Sequence, residues 1–91
     1  MRVTWDAAKA ASNERKHGVS FHEASTVLGD GLSVTIEDPN HPSTEYRFVT
    51  FGAASTGRFL VVVHADHGPV LRIISARLMT PAERRAYERN R

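Results

Sequence analysis

The side chains best suited to chemistry in this 91-residue chain gather near its C-terminal end. A β-prone stretch, Arg72-Ile73-Ile74-Ser75-Ala76-Arg77, runs into Thr80-Pro81-Ala82-Glu83-Arg84-Arg85-Ala86-Tyr87. A guanidinium stays charged at physiological pH and presents a planar fork of donors. Arginines on adjoining elements therefore suit a phosphodiester, or the charge that develops on one as it is cut. Of the 12 lysines and arginines, 10 are arginine, and six of those lie from Arg72 onward against only Glu83 and Glu88. Formal net charge is just +2, so the positive field belongs to one end of the chain. Such an end attracts nucleic acid or an acidic protein.

Cleaving RNA without a metal takes a base for the ribose 2′-hydroxyl, a cation for the crowded phosphate and an acid for the leaving oxygen. Arg77, where the strand gives way to the helix, ranks first as a phosphate clamp, because site residues concentrate at such junctions. Arg72 lies an odd number of positions away and faces the other side of a regular strand. Both line one cleft only if a bulge intervenes or the strand ends between them; otherwise Arg72 is an edge or interface residue. Glu45 and Arg47, two apart, share one face of a strand. They read either as a surface ion pair of little energetic weight or as a phosphate contact with its orienter or base.

His17 can exchange a proton near neutral pH, although a histidine at a helix C-terminus also simply complements the dipole. Lys9, Asn13 and Lys16 follow at spacings of four and three, which predicts a solvated basic stripe along one helix. Arg84, Arg85 and Tyr87 complete the candidate RNA contacts, with Tyr87 either covering the core or turning its hydroxyl to a phosphate. His64-x-Asp66-His67 has too few ligands to argue for a metal and reads as a surface hairpin. Gly29-Asp30-Gly31 lacks the strand, turn and helix of a phosphate loop, so no cofactor is expected.

The elements that must position these residues follow from capping and periodicity. Met1 to Trp5 can open with a short strand. Asp6 caps a helix closed by His17-Gly18, and Ser20 with Glu23 forms a capping box for a shorter second helix ended by Gly29. Leu32, Val34 and Ile36 alternate with Ser33 and Thr35 as in a half-buried strand. Two β-prone runs follow, Glu45 to Gly52 and Arg58 to Ala65, and Asp66-His67-Gly68-Pro69 turns the chain into Val70 to Ala76. Thr80, Pro81 and Glu83 are a strong start signal for a last helix reaching Arg89. The expectation is one small α+β domain. Its mostly antiparallel four-stranded sheet, with the short N-terminal strand as a possible fifth, carries two N-terminal helices and one C-terminal helix.

At this length a domain buries a modest share of its surface, so a tight partner would add much to its stability. Without cysteine, thiol catalysis and cysteine-rich zinc sites are excluded. No apolar run is long enough to span a bilayer and no export signal opens the chain, so a cytoplasmic protein without membrane contact is expected.

Three strings together resemble a known family. Trp5-Asp6-x-x-Lys9-x-x-x-Asn13, Lys16-His17-Gly18-Val19 with Phe21, and Arg72-x-Ile74-Ser75-Ala76-Arg77 occur in the order seen in the BrnT toxins. The Glu83-Arg84-Arg85-x-Tyr87 helix, Asp38, Arg47 and Gly52 extend the resemblance over nearly the full length. It implies a RelE-like fold and a type II toxin that cleaves RNA, neutralised by a BrnA-type antitoxin, with room for a toxin homodimer in the complex. It also implies catalysis by lysines and arginines rather than a histidine pair. The competing reading is a non-catalytic α+β module that binds RNA or a protein partner.

Overall fold

The chain, described here from a computed structural model, is defined for residues 1–40, 42 and 44–89. The elements run β1 (Arg2–Trp5), α1 (Ala7–His17), α2 (Phe21–Val27), β2 (Val34–Glu37), β3 (Arg47–Ala53), β4 (Phe59–His67), β5 (Val70–Leu78) and α3 (Pro81–Arg89). They form one five-stranded sheet in the order β1-β5-β4-β3-β2. β2 to β5 form an antiparallel meander, and β1 pairs parallel with β5, giving a mixed sheet. The expected α+β class, element order and three helices are all present.

The caps act as their residue types dictate. Asp6 accepts the Lys9 amide at 2.9 Å and Ser20 that of Glu23 at 3.0 Å. Gly18 closes α1 at φ 69°, a backbone geometry costly for any residue with a Cβ. Strand ends shift from the sequence reading by at most two residues. β3 starts at Arg47 rather than Glu45, and β5 runs on to Leu78, so Arg77 lies within the strand.

α1 and α2 cover one face of the sheet. Val19, Phe21, Ala24 and Val27 pack there on Leu60, Val62, Leu71, Ile73 and Ala76, with Trp5 and Ala10 at the margin. Gly52 lies beneath this layer, where a Cβ would come within 3.0 Å of both the Val27 and Ser33 side chains. Asn13 departs from the expected solvated stripe. It is buried at 7% exposure, its amide nitrogen donates to Val19 O and Ala76 O, and its oxygen accepts the Ala76 amide. Lys9 and Lys16 stay exposed on α1, so no Lys9–Asn13–Lys16 face exists.

α3 lies on the opposite face, where Tyr87 meets Phe59 edge to face and Glu83, Ala86 and Tyr87 border a groove with Val34, Ile36 and Phe51. Beyond α3 no described helix covers that face, although Val61 and Ala65 on it are buried among their neighbours. Paired residues of neighbouring strands share a face, so it reads as three rows. Val34, Phe51, Val61 and Arg77 form the first; Ile36, Val49, Val63 and Ser75 the second; Arg47, Ala65, Arg72 and Thr4 the third.

One irregularity matters for function. The β4–β5 register steps from Val63↔Ser75 to His64↔Ile73 and leaves Ile74 as an extra residue in β5. A bulge of this kind reverses the side-chain alternation beyond it. Arg72 and Arg77, on opposite faces of a regular strand, therefore share the open face.

Candidate functional site

Two charge clusters mark the open face, one at each end. At the end away from α3, Glu45 stands just before β3 and accepts from Arg47 Nε at 3.1 Å and Arg72 Nη2 at 2.7 Å. His67, the last residue of β4, brings Nε2 to 3.4 Å from the same carboxylate. Its position follows from the turn, in which Gly68 takes φ 63° and reverses the chain into β5. The Glu45 side chain is 19% exposed, those of Arg47 and Arg72 about one third, and that of His67 55%. A ligand can reach all four.

Burial alone would raise the Glu45 carboxyl. Hydrogen bonds from Arg47 and Arg72, helped by their charge, outweigh it and hold the group below its usual range. Glu45 is thus an ionised carboxylate at neutral pH, the state a base requires, set between two fixed cations.

The second cluster is at the α3 end. Arg77 grips Glu83 with both terminal nitrogens, at 2.7 and 2.9 Å. Glu83 also completes the capping box, accepting the Thr80 amide at 2.9 Å while Thr80 Oγ1 accepts the Glu83 amide at 3.1 Å. The Arg77 hydrogen bonds, opposed by burial, lower the Glu83 carboxyl to about 2. In β4 the partners of Arg72 and Arg77 are Ala65 and Val61, four residues apart. The two arginines are therefore separated by about 13 Å along the strand.

The remaining candidates scatter. His17, Lys9 and Lys16 lie on α1, across the sheet from both clusters. Arg84 stacks over Phe59 at 4.1 Å and pairs with Glu88, while Arg85 is exposed on α3. Tyr87 is 5% exposed and its hydroxyl is committed to Asp30 Oδ2 and Leu32 O. It braces α3 against the loop before β2 and does not turn to the open face.

His64 and His67 part company. His64 is buried on the helix-covered face between Thr50 Oγ1 and Asp66 Oδ1, both at 2.7 Å. Among the described residues no three His, Cys, Asp or Glu side chains are arranged to hold a metal, and no helix is long and apolar enough to cross a membrane. A further network ties Arg58 to Glu23 and to Gly18 O, fastening the start of β4 to α2.

Sequence comparison decides the family. Residues 5–83 match the profile described as "Ribonuclease toxin, BrnT, of type II toxin-antitoxin system". The chain belongs to this family. The crystal structure of the Brucella abortus ribonuclease toxin BrnT superposes with a TM-score of 0.65 at 23% identity, covering 88% of this chain and 97% of that one. That likeness concerns the fold. No curated protein sequence matches.

As a BrnT-family ribonuclease toxin, the chain is an endoribonuclease with RNA as substrate and an antitoxin as partner. This sets aside the non-catalytic module. Of the sequence candidates, the fold brings Glu45, Arg47 and Arg72 together and leaves Arg77 at the far end of the same face. Sequence reasoning missed His67. The available signal was its place one residue before the hairpin glycine, but nothing local shows that β4 delivers it to Glu45.

Proposed function

We propose that the Glu45–Arg47–Arg72 end of the open face cuts RNA without a metal. The carrying observation is one carboxylate held between two accessible arginines. In this reading a scissile phosphate takes over the guanidinium donors. Glu45, released from them, accepts the proton of the 2′-hydroxyl as its oxygen attacks phosphorus. Arg47 and Arg72 stabilise the charge that builds on the phosphoryl oxygens. Arg77, on the same face, holds a neighbouring part of the strand once Glu83 lets go, and Arg85 adds a more distant attraction. His17, Lys9 and Lys16 have no part in the chemical step, because the sheet stands between them and the cluster.

A BrnA-type antitoxin is the partner assigned to this face. An amphipathic segment laid across the rows Val34–Arg77 and Ile36–Ser75 would bury their exposed apolar residues, Val34 and Ile36, and screen the arginines. A toxin homodimer within the complex is compatible with that arrangement, since masking uses one face only. The RNA targets assigned are cytoplasmic messages under translation, whose cutting would inhibit translation.

The test is incubation of the purified chain with a defined single-stranded RNA in excess EDTA, with the product ends mapped. Fragments ending in a 2′,3′-cyclic phosphate and beginning with a 5′-hydroxyl are expected, and a 2′-deoxy nucleotide at the cut site should block cleavage there. Fragments with 3′-hydroxyl ends, or cutting that EDTA abolishes, would reject the mechanism.

A further inference from the structure

Resting on the cleavage site just proposed, we infer that His67 is its general acid, delivering a proton from Nε2 to the departing 5′-oxygen. The site needs a proton donor that the arginines do not supply: they stay charged and are occupied by the phosphate. Glu45 is taken up as the base.

Among the described histidines only His67 is placed for the task. His17 lies across the sheet on α1. His22 packs edge-on against Trp5 on the helix side. His64 is 2% exposed, with both ring nitrogens engaged. His67 is on the open face, more than half exposed, with Nε2 aimed at the Glu45 carboxylate. Their separation of 3.4 Å is too long for a strong hydrogen bond, so a phosphate can part the two groups without breaking a well-made contact. An in-line displacement places attacking and leaving oxygens on opposite sides of phosphorus. A phosphate inserted between Glu45 and His67 meets a base on one side and an acid on the other.

The step balances. The 2′-hydroxyl proton passes to Glu45 as the O2′–P bond forms. The P–O5′ bond breaks with its electron pair on O5′, and His67 protonates that oxygen. A 2′,3′-cyclic phosphate and a 5′-hydroxyl leave, and Glu45 and His67 exchange protons with water to restore their starting states.

Sulfur in place of the bridging 5′-oxygen gives a leaving thiolate that needs no proton, so it separates an acid from a residue that only binds. The experiment compares wild type, His67→Ala and Glu45→Gln on two RNAs of one sequence, with oxygen or sulfur at the scissile position. His67→Ala should cut the all-oxygen RNA about 10²–10⁴-fold more slowly and the sulfur RNA within about tenfold of wild type. Glu45→Gln should be slow on both. Thermal melting of His67→Ala should match wild type, since the side chain is largely exposed. Equal slowing of His67→Ala on both RNAs would overturn the inference, as would no slowing on either, in each case with the cleavage site left standing. A wild-type chain inert on both RNAs would overturn the site itself and this inference with it.

Discussion

Glu45→Gln is expected to leave the chain folded and to lower the rate of RNA cleavage about 10²–10⁴-fold, the usual contribution of a positioned base. The substitution keeps the size and one oxygen of the side chain, so Arg47 or Arg72 can still find an acceptor. What it removes is the capacity to take a proton. Glu45 lies in a bend between β2 and β3 and its partners are about one third exposed, so loss of the pair should change stability little. Two arginines without their carboxylate should also bind RNA at least as tightly as before. Single-turnover rates with RNA-binding and melting curves check the combination: rate lost, affinity kept, fold kept. A variant that cuts at the wild-type rate would reduce the cluster to a surface ion pair.

Asn13→Ala is expected to damage the fold severely. The side chain makes three hydrogen bonds, at 3.0 Å to Val19 O, 2.9 Å to Ala76 O and 3.1 Å from the Ala76 amide. These join α1 to the turn that follows it and to β5. Removing them strands three backbone groups in a nearly water-free site. The loss should be about 3 kcal/mol, which for a domain of this size lowers Tm by roughly 10–20 °C. Asn13→Leu, which restores volume but no donor, should fare no better. A fall of only a degree or two would mean that water replaces the amide and that α1 is held by apolar packing alone.

These two residues also show what could be read from the chain without its fold. Features carried by local chemistry were legible: the Asp6 and Ser20 caps, the Thr80–Glu83 capping box and the Gly18 end of α1. But α2 ends on Leu28 in right-handed geometry and not on Gly29, and β2 is exposed along its length and not half-buried. The closeness of Glu45 and Arg47 was legible from their spacing of two, although Glu45 lies in the bend before β3 and not in a strand.

What escaped depends on contacts distant in sequence. Asn13 looked like one member of a polar stripe because spacing along a helix does not tell which neighbour β5 will bring within reach. The Ile74 bulge inverts the strand parity on which the separation of Arg72 and Arg77 rested, and only the β4–β5 register reveals it. His67 was passed over beside His64 as part of a weak metal motif. The three-residue step places them on opposite faces, one sealed under the helices and one beside Glu45.

The central claim is that chemistry occurs at the Arg72 end of the open face and not at the Arg77 end. The most direct measurement is single-turnover cleavage of one defined RNA, in excess EDTA, by wild type, Arg72→Ala and Arg77→Ala, each confirmed folded by thermal melting. Arg72→Ala should lose about 10²–10³ in rate, as for removal of a preorganised donor, while Arg77→Ala should stay within about tenfold of wild type. A folded Arg77→Ala that no longer cuts, beside an Arg72→Ala that cuts normally, would contradict the account and move the active site to the Arg77–Glu83 pair.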